Sequence, residues 1–238
     1  MHEIAPAVYL LHGLRRSNVY LLVSGRNLAL VDSGLPGEVD TIASELEQGG
    51  FALSAVQTVL LTHAHADHTG GAAELAHRSG AQVWAHEAEV PFIEQTRPLA
   101  TASSIKGLML WVSERALSHV QACTVDRALR EGDVIDALSG LEVWHTPGHT
   151  PGSMCLYQAE QRILFCGDLF VNRHPMTGKP GLRLAMPFVS LNMAQVRQSG
   201  RRVAALPVEI LCPGHGEPIL QKAQPLMQEL LIEGEPQA

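Results

Sequence analysis

Four side chains able to bind a metal fall within six residues in His63-Ala64-His65-Ala66-Asp67-His68. Imidazole suits zinc, iron and related ions, and a carboxylate adds the negative charge that helps hold a second cation. Ala64 and Ala66 keep the space between these side chains free of bulk. Three later segments extend the pattern. Thr146-Pro147-Gly148-His149-Thr150-Pro151-Gly152 sets a histidine in a turn stiffened by two prolines and opened by two glycines. Cys166-Gly167-Asp168 ends an apolar run with a carboxylate, and Pro213-Gly214-His215-Gly216 repeats the Pro-Gly-His arrangement. Each segment alone is ordinary, since a histidine in a Gly/Pro loop is more often structural than ligating. Their succession after the six-residue cluster is what points to one metal site.

Such residues need rigid elements to hold them, and the chain supplies strands and helices in alternation. Val19–Val23 and Leu28–Val31 are apolar runs separated by Gly25 and Asn27, which predicts a hairpin. Glu38–Gln48 carries Val39, Ile42, Ala43 and Leu46 at helical spacing and stops at Gly49-Gly50. Val56–Leu61 is a mostly apolar run of the kind buried on both faces, and it leads through Thr62 into His63. A helix over Gly71–Ser79 and a strand over Gln82–Ala85 follow.

Residues 86–120 read as mainly helical. Ile105–Val120 is free of strand signals and includes Leu108, Met109, Trp111, Val112 and Leu117. Strands return at Cys123–Ala128, Leu141–His145, Ser153–Tyr157 and Ile163–Cys166. A Pro/Gly-rich loop (172–187), a helix near 192–205, the strand Val208–Leu211 and a helix from about Ile219 complete the order, which fits two sheets covered by helices. Each half also has an apolar strand feeding a histidine turn, Leu60–His63 and Val143–His149, a coarse internal echo.

Composition narrows the function. The 238 residues are 46% hydrophobic and 17% charged with a formal charge of -7, an ordinary globular balance. Arg15-Arg16 and Arg201-Arg202 are isolated basic pairs, read as solvated surface, so no nucleic-acid partner is expected. The apolar runs fall short of the ~18 residues of a membrane span, and no signal-peptide pattern opens the chain; a cytoplasmic protein without a membrane partner is expected. Cys123, Cys155, Cys166 and Cys212 show no C-x-x-C spacing and read as buried reduced thiols, although Cys166 stands close enough to Asp168 to line a site there.

The segments Thr62–His68, Thr146–Gly152, Gly167-Asp168 and Pro213–Gly216 resemble the successive motifs of the metallo-β-lactamase superfamily, and the match runs from Val31-Asp32-Ser33-Gly34 to His215. The resemblance implies an α/β fold, an αββα four-layer sandwich with a dinuclear site at one edge of the sheets. The chain would be one domain over 1–238, with a helical insertion at about 86–120. By the same resemblance His63, His65 and His149 bind one metal, Asp67, His68 and His215 a second, and Asp168 bridges them. Asp32 matches an acidic position near the family's site; it is carried as a support for a ligand, with turn capping the competing reading.

Departures from subfamilies restrict the substrate. The best-known zinc β-lactamases place Cys where Asp168 stands, which argues against antibiotic hydrolysis. Asp168 is instead similar to the bridging residue of hydroxyacylglutathione hydrolases and acyl-homoserine lactonases. Only 23 residues follow His215, so the glutathione-binding helical domain of the former is not expected. Val171 stands where the lactonases have Tyr, and His65 where flavodiiron proteins have Glu. The expectation is a dinuclear metal-dependent hydrolase of an ester, lactone or thioester, working through a hydroxide that bridges two divalent ions, with Asp67 orienting the nucleophile or carrying its proton. Zinc is the default metal, with iron and manganese as alternatives. The runner-up is a mononuclear iron oxidoreductase resembling persulfide dioxygenases, using His63, His149 and Asp168. The apolar stretches at 97–120 and 172–188 have a functional reading, a lid and pocket wall for an apolar small molecule, but core or homodimer packing is the reading that comes first.

Overall fold

The computed structural model describes residues 1–99, 120–174 and 177–233. Two sheets form its centre. The first has seven strands in sequence order: β1 (His2–Ala5), β2 (Val8–Leu10), β3 (Tyr20–Ser24), β4 (Asn27–Val31), β5 (Val56–Leu61), β6 (Gln82–His86) and β7 (Arg127–Leu129). The first four pair antiparallel, and β4 to β7 run parallel. The second sheet comprises β8 (Val134–Ile135), β9 (Leu141–His145), β10 (Met154–Gln158), β11 (Ile163–Gly167) and β14 (Ile210–Pro213), in the order β14-β11-β10-β9-β8. A hairpin of β12 (Phe170–Arg173) and β13 (Pro180–Leu184) stands beside it.

Side-chain alternation explains why the strands read as unbroken apolar runs. Leu60 and Val31 point between the sheets, whereas Val59, Leu61, Leu28 and Leu30 face the opposite way, onto α1 (Val39–Gln48) and α3 (Ala72–Ser79). In the second sheet Ile163 and Phe165 join the layer between the sheets, while Leu164 and Cys166 meet α5 (Met193–Ala204) and α6 (Ala223–Glu233). Helix, sheet, sheet and helix thus make the four layers expected. Full burial of one such Leu or Phe contributes about 1.5–3 kcal/mol. The helical stripe also falls as predicted, since Val39, Ile42 and Leu46 are the buried face of α1.

The strand ends gather the candidate residues. β5 leads to α2 (Ala66–Thr69), which carries Asp67 and His68; the β9–β10 turn carries His149; Asp168 directly follows β11; β14 ends before His215. Backbone bonds fasten this edge. The Met154 N–H donates to the Thr62 carbonyl across the two sheets at 3.0 Å, and the Gly214 N–H to the Gly167 carbonyl at 2.7 Å.

Several expectations need correction. The predicted strand Cys123–Ala128 is reduced to Arg127–Leu129, because the residues before it follow the short helix α4 (Val90–Ile93) instead of the sheet. Cys123 N bonds to the Ile93 carbonyl and Val125 N to Glu94; pairing with β6 starts only at Asp126, whose N–H reaches the Val83 carbonyl at 2.8 Å. The expected loop at 172–187 contains most of the β12–β13 hairpin. Its Pro180 is tolerated because it opens an edge strand. The last helix starts at Ala223, since Ile219 is held in an antiparallel bridge to Leu211. β1, β2 and β8 are too short to stand out in sequence. Within 86–99 only Val90–Ile93 is α-helical, and the rest of the expected helical stretch, Trp111 included, lies outside the described residues. Among the described residues no helix is long and apolar enough to cross a membrane.

Candidate metal centre

All seven predicted residues converge at this edge. His63, His65, His149 and Asp168 each offer a donor atom within 4.8 Å of the others, and Asp67, His68 and His215 form a second such group. Asp168 lies between the groups. Its Oδ2 is 3.6 Å from His149 Nε2 and 3.3 Å from His215 Nε2, and its Oδ1 is 3.4 Å from His68 Nε2. His63, His68 and His149 are almost wholly buried, Asp67 and His215 nearly so.

Neighbouring groups fix which ring nitrogen turns inward. Asp32 Oδ2 accepts a bond from His68 Nδ1 at 2.7 Å. The single proton of the Thr62 hydroxyl goes to the Asp32 carboxylate, 2.9–3.0 Å away, so Thr62 Oγ1 accepts from His63 Nδ1 at 3.1 Å. By the same reasoning Ser190 Oγ donates to the Met186 carbonyl at 2.8 Å and accepts from His149 Nδ1 at 3.0 Å. His215 Nδ1 donates to the Arg16 carbonyl at 3.1 Å. Four rings therefore carry a proton on Nδ1 and aim Nε2 at the centre, the arrangement that orients and polarises imidazole ligands. His65 approaches with its other nitrogen, Nδ1 lying 3.2 Å from His63 Nε2.

Asp32 both caps the turn and supports a ring. Its φ of +63°, a left-handed conformation that Asp tolerates better than most residues, turns its carboxylate back to accept the Thr62 N–H at 2.8 Å. The following turn is tied down by Ser33, whose N–H and hydroxyl both donate to the His68 carbonyl, and by the Ser17 hydroxyl, which donates to the Asp67 carbonyl.

The electrostatics divide the site. Burial holds His63 well below the usual imidazole range, with His68 and His149 adding to it, and lowers His65; burial and His65 push His149 down to about 3. These are neutral bases at neutral pH. Burial also opposes charge on His68 and His215, but Asp32 and Asp168 raise His68 well above its ordinary value, and Asp168 lifts His215 to about 9. Burial resists ionisation of Asp67 and Asp168 as well, yet His68 and His215 hold Asp67 low and Asp168 well below the carboxylate range.

Divalent metal fits these residues. His68 Nε2, His149 Nε2 and Asp168 Oδ1 are buried without a hydrogen-bond partner, a costly state for polar atoms that a cation relieves. Imidazole and carboxylate donors with no thiolate suit zinc, iron or manganese. Cys166 is not part of the centre: it lies in the core under α5 and α6, its Sγ 3.4 Å from the Phe170 carbonyl, and burial pushes its thiol well up. All four cysteines are buried free thiols, as expected.

Three supports escaped the sequence reading. Thr62 stands in the quoted motif without a role, Ser190 looks like any loop serine, and Glu89 follows β6 in the run Glu87-Ala88-Glu89, which resembles a solvated surface. Glu89 is wholly buried.

Comparison with known proteins agrees with this geometry. The family model of the metallo-beta-lactamase superfamily matches residues 12–215, and the chain belongs to that superfamily. Within it the chain is a metal-dependent hydrolase. A probable metallo-hydrolase of Bacillus subtilis, YybB, is 25% identical over 203 residues, which span 85% of this chain and 82% of the relative. An Aspergillus fumigatus protein named atrochrysone carboxyl ACP thioesterase is 30% identical over 91% of this chain and 56% of its own length. The solved structure of TTHA1623 in a di-iron-bound form superposes with a TM-score of 0.63 at 27% identity, covering 89% of this chain and 93% of that one.

Proposed function

We propose that the protein hydrolyses an ester, lactone or thioester of a small molecule at a dinuclear divalent-metal centre. His63, His65 and His149 would hold one ion and Asp67, His68 and His215 the other, with Asp168 shared. The observation that carries this reading is the position of Asp168, with one oxygen toward His68 and the other toward His149 and His215. A bound metal pair would supply Lewis acidity for a carbonyl oxygen and a water acidified to a pKa of about 7.

The protein's own residues do the rest. The Nδ1 bonds to Thr62, Asp32, Ser190 and Arg16 keep four imidazoles aimed inward before any substrate arrives. Preorganisation of this kind removes reorganisation from the reaction itself. Asp67 stays ionised beside His215, with Oδ2 3.4 Å from its Nε2, which suits it to orient an attacking water as a hydrogen-bond acceptor. Zinc is the default metal and iron or manganese the alternatives. The thioesterase relative and the di-iron neighbour support the acyl chemistry and the pair of ions.

The test is a substrate panel on protein reloaded in turn with zinc, iron and manganese: thioesters, lactones, simple esters, a phosphodiester and a β-lactam, with oxygen uptake on a persulfide as a separate arm. Turnover confined to the acyl compounds is expected. Turnover confined to the phosphodiester, the β-lactam or the oxygen-consuming arm overturns the assignment.

A further inference from the structure

We infer that Glu89 is a positioning residue: its carboxylate ties the loop of His63 and His65 to the loop of His149, and so sets where these three imidazoles meet. Oε2 accepts the N–H of Ala64, between the two histidines of the first loop, at 2.8 Å. Oε1 accepts the N–H of Gly152, three residues past His149, at 2.6 Å. The two loops belong to different sheets, and one carboxylate spans them.

The surroundings look built for that bridge. Gly152 lies so close that a Cβ there would sit 2.7 Å from Glu89 N and 2.8 Å from its Cγ, so the second loop packs directly on this residue. Glu89 opens α4 and its own N–H donates to the His86 carbonyl at 2.8 Å, which anchors the side chain to the end of β6. Burial pushes its carboxyl up to about 7, against the pull of the Thr150 hydroxyl and the two N–H groups. A buried acid is expensive to keep. The bridge gives it a reason to be there.

A role in packing alone makes a different forecast. The two sheets are already joined nearby through Met154 N and the Thr62 carbonyl, so the fold has a tie that does not involve Glu89. Glu89→Gln keeps the shape but turns one acceptor into a donor aimed at a backbone N–H. Glu89→Asp keeps the charge but is one methylene too short to reach both loops. Each variant should misplace His63, His65 and His149 relative to one another while leaving Asp67, His68 and His215 in register.

This inference rests on the dinuclear reading, and the experiment separates the two. Wild-type protein, Glu89→Gln and Glu89→Asp are loaded with zinc, and its release to a chromogenic chelator is followed alongside the circular dichroism and thermal midpoint of each. The expectation is two slowly released ions in the wild type. In the variants one ion should leave roughly 10–100-fold faster, the usual effect of losing a group that supports a ligand, while the other keeps its rate. Ions released at wild-type rates from both variants, or both ions loosened together with a collapsed thermal midpoint, overturn the role for Glu89. A wild type holding a single ion overturns the dinuclear reading alone, and that ion's release from the variants still decides Glu89. If one variant fails to fold, the other carries the test.

Discussion

Asp32 Oδ2 lies 2.7 Å from His68 Nδ1, and both groups are buried. The same carboxylate takes the hydroxyl proton of Thr62, which leaves Thr62 to receive a bond from His63. One acidic side chain on the β4 edge thus orients an imidazole of each metal-competent group.

Asp32→Ala removes that orientation from both groups. Metal affinity or activity should drop about 10–100-fold. Isothermal titration with zinc checks the affinity and should show both ions weakened. Loss of only one would mean that Thr62 holds His63 without Asp32.

Gly214 allows the closest approach in the centre. A Cβ added there would lie 2.5 Å from Asp168 Oδ1 and 2.6 Å from His68 Cε1. Gly214→Ala should displace both side chains by a fraction of an ångström to an ångström, and misplacement of that size costs on the order of 10²-fold in rate. Steady-state kinetics on the best acyl substrate is the check, with circular dichroism to show that the sheets persist. Near-wild-type turnover would mean the centre tolerates the shift.

The layer between the sheets should matter for stability and not for metal binding. Phe165 is 1% exposed and stacks edge-on against Tyr20 at 5.4 Å. Phe165→Ala should cost about 3–5 kcal/mol of unfolding free energy in urea titrations. The folded fraction should keep the wild-type metal content.

A pH signature comes from outside the centre. His86 stacks on His145 with ring centroids 3.9 Å apart, and burial together with that neighbour lowers it from 6.5 to about 4. Between pH 6.5 and 4 the unfolded chain takes up a proton that the folded chain refuses. This stabilising contribution is therefore fully present above 6.5 and is lost as the pH falls toward 4. His86→Phe keeps a ring in the stack and removes the proton site. Urea unfolding at intervals over that window should give a shallower pH dependence for the variant, whereas parallel curves would show that His86 titrates normally.

The sequence carried the metal-competent residues and the strands before them because both are written locally. Val59–Leu61, the end of β5, is apolar on both faces, and the His63–His68 cluster follows after Thr62 alone. The supports were harder to read, because Ser190 meets His149 across 41 residues and Glu89 meets Gly152 across 63, and nothing in their own neighbourhoods marks them. The β12–β13 hairpin was hidden for another reason. Its strands are anchored by Phe170 opposite Leu184 against the helices, while its proline and glycines read locally as a loop. Only tertiary packing distinguishes the two.

Elemental analysis of protein purified without added chelator or metal shows whether five histidines and two aspartates hold a pair of ions. About two divalent ions per chain are expected, falling toward zero in Asp168→Ala, the variant that lacks the shared carboxylate. A single tightly held iron, or a metal content that Asp168→Ala leaves unchanged, would contradict that expectation.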